Sequence, residues 1–128
     1  MISFDNFTMV DGSPIYQQII LHIKRGVIAG TIADGDELPS RRVLSALLGV
    51  NPNTVQKAYK MLEDEGLIAS HSGAKSCMVL TADTVRSIKL ELVAADARTA
   101  VRALRQMGIS LDEARDILEK YWEGEEEQ

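Results

Sequence analysis

The feature that most constrains this chain is a pair of short helix starts separated by a tight turn. Ser40 follows Pro39 and precedes Val43, Leu44, Leu47 and Leu48, so a helix capped by Ser40 carries these as its apolar face and ends at Gly49. Asn51-Pro52 repeats the signal: a capping side chain, then proline at the first helical position, where its missing N–H costs nothing. Val55, Ala58, Tyr59 and Leu62 recur at helical spacing before Gly66. Two helices joined by Gly49-Val50-Asn51 have the spacing of a helix-turn-helix.

The flanks complete the pattern. Upstream, Ser13-Pro14 reads as a cap and first turn, followed by Ile15, Ile19, Ile23 and Val27, with Tyr16 and Ile20 widening the stripe and Gly30 closing it. Thr31 to Glu37 reads as a loop. After Gly66 the period changes, and Leu67 to His71 and Ser76 to Leu80 flank the polar tip Ser72-Gly73-Ala74-Lys75 as a β-hairpin. The expected fold is mainly α with a small β-hairpin: a winged helix-turn-helix over residues 8–80. Residues 81–128 read as a two-helix tail. Asp83 or Thr84 caps a long helix to Met107, Gly108 breaks it, and Ser110-Leu111-Asp112-Glu113 is a capping box opening the last helix. Val85, Ile88, Leu92, Val101 and Leu104 on the first tail helix, and Ile117, Leu118, Tyr121 and Trp122 on the second, are more apolar surface than two helices can hide alone. They are therefore expected to form a dimer contact.

Composition narrows the function. The chain has 128 residues, 45% hydrophobic and 26% charged, as in an ordinary globular protein. No run approaches the roughly 18 apolar residues of a membrane span, and Met1 to Val10 lacks the features of a signal peptide. With a single cysteine, Cys77, the expected setting is the cytoplasm, with no membrane partner. The net charge of −5 is uneven: residues 39–75 carry +2 and residues 81–128 carry −4. A weakly basic centre inside an acidic chain permits a nucleic-acid partner. Catalysis finds no support, because Glu63, Asp64 and Glu65 are consecutive on a helix and point in different directions. His71 and Cys77, taken to face each other across the hairpin, are too few ligands for a metal, and His22 reads as structural. No cofactor is expected. The tail is too short to enclose a metabolite pocket of a few hundred Å³.

The third helix offers Asn53, Thr54, Gln56, Lys57 and Lys60 away from its apolar face. Asn and Gln suit adenine edges, Thr suits a thymine methyl, and Lys neutralises phosphate. Arg41 and Arg42 open the second helix, where a helix-turn-helix meets the backbone, and Gly73 and Lys75 at the wing tip suit a minor groove.

The strings Pro14-Ile15-Tyr16-Gln17-Gln18-Ile19, Leu38-Pro39-Ser40, Leu47-Leu48-Gly49-Val50-Asn51-Pro52-Asn53-Thr54-Val55, Ala58-Tyr59 and Leu62-Glu63-Asp64-Glu65-Gly66-Leu67-Ile68 resemble the GntR family of bacterial regulators, in its YtrA-like branch. The resemblance covers residues 8–80. It implies a dimeric repressor on a double-stranded DNA operator, with contacts at Arg42, Asn51, Asn53, Thr54, Gln56 and the wing glycine Gly73. The wing departs from the family: His71, Ser72 and Lys75 stand where arginines and a second glycine are usual. Arg41 occupies a slot that is commonly apolar or acidic. The release signal is open, with a small-molecule effector of unknown chemistry as one class. The competing reading is a winged-helix module that binds a protein instead of DNA.

Overall fold

The computed structural model describes residues 1–71 and 75–124. The element order is α1 (Ile15–Ala29), β1 (Glu37–Leu38), α2 (Arg41–Leu48), α3 (Pro52–Asp64), β2 (Ile68–Ser70), β3 (Ser76–Met78), α4 (Ala82–Gln106) and α5 (Leu111–Gly124). The chain divides into two compact units, Met1–Lys89 and Leu90–Gln128. The division falls inside α4, whose early turns, with the buried Ile88, belong to the first unit.

In the first unit α1 and α2 both pack on α3. Ile19 and Ile23 of α1, Leu44 of α2, and Val55, Ala58, Tyr59 and Leu62 of α3 are essentially sealed from water. Such burial stabilises the fold by about 1.5–3 kcal/mol per large apolar side chain relative to leaving it in water. α1 starts one residue later than the Ser13-Pro14 pair suggested. Pro14 itself is the N-cap and offers no side-chain cap. The entry is closed instead by Gln18, whose amide donates to the carbonyls of Val10 (2.9 Å) and Ser13 (2.8 Å) and whose Oε1 accepts from the Val10 N–H.

The wing is a three-stranded antiparallel sheet in the order β1-β3-β2, rather than a hairpin alone. Glu37 lies opposite Cys77 and Leu38 opposite Ser76, so the stretch read as loop ends in a strand. On the other side Ile68, Ala69 and Ser70 face Met78, Cys77 and Ser76. Cys77 therefore sits across from Ala69 and not from His71, which pairs through its N–H with the Lys75 carbonyl (2.8 Å). The residues before α1 extend this layer: the Ile2 N–H donates to the Glu37 carbonyl (2.8 Å), and Ile2 and Phe4 are buried.

α4 is capped by Thr81, not by Asp83 or Thr84. The Thr84 N–H donates to Thr81 Oγ1 (3.2 Å), while Thr84 Oγ1 accepts from the Thr81 N–H (2.8 Å). In the second unit α5 opens on the expected capping box, with the Glu113 N–H donating to Ser110 Oγ (3.2 Å) and the Ser110 N–H to Glu113 Oε1 (3.3 Å). Between the end of α4 and α5 runs an open apolar groove of about 550 Å³ lined by Val101, Leu104, Leu111, Ala114 and Leu118. The tail thus forms a groove of ligand-like volume, but not an enclosed pocket. No described helix is long and apolar enough to cross a membrane.

Candidate nucleic-acid interface

The turn between α2 and α3 is held by short-range chemistry. Ser40 Oγ accepts from the Val43 N–H (3.1 Å) and starts α2, and Gly49 ends it at φ 69°, a left-handed value that glycine adopts without a Cβ penalty. Ser45 is buried on α2, and its hydroxyl donates to the Val50 carbonyl at 2.7 Å, satisfying a turn acceptor from inside. Asn51 Oδ1 accepts from the Asn53 N–H (2.8 Å) and starts α3. Farther along, the buried Tyr59 hydroxyl donates to the Pro39 carbonyl at 2.7 Å, tying α3 to the chain entering α2. Burial holds the Tyr59 phenol protonated well above its usual range, with the nearby Arg41 opposing that shift. α3 is therefore fixed at its start by a cap and in its middle by a buried bond.

Fixing the inner face aims the outer one. Asn53, Gln56, Lys57 and Lys60 are exposed at spacings that place them on a single side of α3, and Thr54 is half-buried beside them. Asn51 is exposed; its carboxamide oxygen accepts the cap bond, which fixes the side chain and leaves its amide N–H groups directed away from the helix start. The first turn of α3 points the positive end of the helix dipole outward, which favours a phosphate, although its Asn53 and Thr54 N–H groups are already taken by Asn51 Oδ1 and the Asn51 carbonyl.

The basic residues are engaged in different ways. Arg42 is exposed in the first turn of α2 and has no partner among the described residues. Arg41 is half-buried, its guanidinium carbon 5.2 Å from the Tyr59 ring centre and its Nε buried without a hydrogen bond. Arg41 thus opens α2 as expected, but part of its side chain is held against the interior. Lys57 lays its ammonium 4.1 Å from the Tyr16 ring centre. Lys60 donates to Asp64 Oδ1 (2.8 Å), a contact that raises its pKa. Lys75, exposed on the wing, lies 3.5 Å from Glu37 Oε2. Gly73 lies outside the described residues.

The sequence marks neither Glu37 nor Ser45 as a site residue, and marks Tyr16 only as part of the apolar stripe of α1. Tyr16 meets Lys57, and Glu37 meets Lys75, only through the packing of distant elements, so no local pattern announces them. The apolar face of α2 was also misassigned. Val43 and Leu47 are exposed, whereas Leu44 and Ser45 are buried. The buried serine replaces an apolar residue on the inner face and turns the hydrophobic pattern away from it.

The residues expected at a dimer contact separate into two groups. Ile88 and Leu92 are already buried within the chain and so are withdrawn from that surface. Val85 and Leu104 are half-buried, and Val101, Ile117, Leu118, Tyr121 and Trp122 are exposed.

Comparison with known proteins agrees with this geometry. Residues 15–76 match the model of the bacterial regulatory proteins of the gntR family. A segment of 61 residues, 48% of this chain, is 49% identical to the HTH-type transcriptional repressor YtrA of Bacillus subtilis and covers 47% of that protein's length. Among solved structures, a GntR family transcriptional regulator from Listeria monocytogenes superposes with a TM-score of 0.78 at 27% identity, over 88% of this chain and 98% of the other. YtrA from Sulfolobus acidocaldarius, a GntR-family transcription factor, is 34% identical, with a TM-score of 0.55 over 72% of this chain and 99% of the other. The chain belongs to the GntR family of bacterial transcription regulators, and its winged helix-turn-helix is that family's DNA-binding domain.

Proposed function

We propose that the protein represses transcription as a homodimer on a roughly palindromic operator, with α3 of each protomer in a major groove. The observation that carries this reading is the outer face of α3. Asn53 and Gln56 present bidentate amides from a helix whose inner face is sealed and whose start is capped. Arg42 supplies a phosphate contact from the neighbouring helix. The exposed apolar residues of the second unit supply the contact between protomers. A two-fold pair would set the recognition helices about 34 Å apart. The release signal acts on that pair, and a small-molecule effector is one class of it.

Fluorescence anisotropy with a DNA fragment from upstream of the protein's own gene, at varied salt, tests the reading. Affinity is expected to fall linearly with log salt as several phosphates are neutralised per dimer. Arg42→Ala should weaken all sequences and reduce the salt slope by about one, whereas Asn53→Ala should lower preference at particular base pairs by roughly 1–3 kcal/mol. No binding at low salt, or binding indifferent to both Arg42→Ala and Gln56→Ala, overturns it in favour of a protein-binding module.

A further inference from the structure

The second unit is segregated by charge in a way that its own fold does not use. Arg98, Arg102 and Arg105 follow an i, i+4, i+7 spacing on α4 and so form one stripe. They line an open trough of about 590 Å³ together with Ala97, Val101 and Gln106. On α5, Asp116, Glu119 and Glu123 follow an i, i+3, i+7 spacing and form an acidic stripe beside the exposed Leu118 and Trp122. None of these six side chains has an ion-pair partner among the described residues, although α4 and α5 face each other across a groove within one chain. Arg115, by contrast, pairs locally with Asp112 at 3.2 Å.

We infer that the arginine trough on α4 is the seat for the acidic stripe of α5 from a second copy of this chain. Resting on the homodimer proposed above, this adds what sets its register. In a two-fold pair the contact is made twice, since each protomer offers both a trough and a stripe. Opposite charges at matching helical spacing favour one axial alignment. Sliding the helices by a turn leaves arginines and carboxylates unopposed. Exposed apolar residues such as Val101 and Trp122 are brought under the same cover, which gives the contact affinity while the charges give it specificity.

A charge-exchange experiment tests this with the full-length chain. One variant carries Arg98→Glu, Arg102→Glu and Arg105→Glu; the other carries Asp116→Lys, Glu119→Lys and Glu123→Lys. Sedimentation is expected to show a wild-type dimer and, for each variant alone, a dissociation constant higher by roughly tenfold or more. An equimolar mixture should recover the dimer, because each variant then meets the opposite charge, and only folded chains can complement in this way. Neutral Arg→Gln replacements at the same three positions should fall between wild type and reversal. Variants that self-associate as tightly as wild type, or a mixture of helical variants that stays monomeric, overturn the inference while leaving a dimer intact. A wild-type chain that is monomeric at all concentrations overturns the homodimer itself.

Discussion

The first compact unit closes around its own interior, whereas α5 in the second has no buried residue at all. Tyr59, Ile19, Leu44 and Leu62 in the first are sealed by three helices, while Trp122 is 86% exposed and Leu111 71%. Both regions carry helices with proper caps and amphipathic faces. Local signals of this kind decide whether a helix forms, but not what covers it. That depends on whether other elements of the same chain reach the apolar face. In the first unit they do, and in the second they leave the apolar face of α5 open.

The largest test of this contrast is Leu62→Ala. Removing a fully buried side chain should cost about 2–5 kcal/mol of unfolding free energy in a denaturant titration. A loss below about 1 kcal/mol would mean that the first unit is looser than its burial indicates. Trp122→Ala is the converse. At concentrations where the chain is monomeric, its unfolding free energy should change by no more than about 0.5 kcal/mol, while the dimer weakens by about 2 kcal/mol. If the monomer loses as much as with Leu62→Ala, the distinction between the two regions collapses.

Tyr59→Phe sharpens the description of the first unit. It deletes the 2.7 Å bond to the Pro39 carbonyl and should cost on the order of 1 kcal/mol at neutral pH. Because burial raises the folded-state pKa of this phenol, its contribution is fully present below the unfolded value near 10 and is lost as pH rises beyond it. The wild-type chain should therefore lose stability faster than the Phe variant above about pH 10. Parallel alkaline curves would show that Tyr59 ionises freely. The smallest effect is at the wing: Glu37→Gln frees Lys75 from its 3.5 Å partner and should tighten DNA binding by up to about fivefold at low salt. Weaker binding would instead make the Glu37 pair a support that positions the lysine.

The helix-turn-helix was legible because each boundary has a local chemical cause: Ser40 and Asn51 cap, Pro52 starts, and Gly49 stops. β1 was not, since two residues form a strand only through their pairing with β3. The same reason hid Tyr16. Its place beside Lys57 is a property of how α1 crosses α3, and the sequence of either helix alone contains no trace of it. Arg42, Asn53 and Gln56 were readable as surface groups because the inner positions of α3 are marked by apolar residues. Arg41 was not, because an arginine over a buried tyrosine looks, in sequence, like one facing solvent.

The division of α3 into a sealed side and an exposed polar side bears on how such a protein can diversify. Val55, Ala58, Tyr59 and Leu62 hold the helix in place, and Asn53 and Gln56 take no part in that task. Exchanges at the outward positions leave the interior untouched and should change stability by only a few tenths of a kcal/mol. After a gene duplication, one copy can then drift to a new target sequence without passing through an unfolded intermediate, while its sibling keeps the old one.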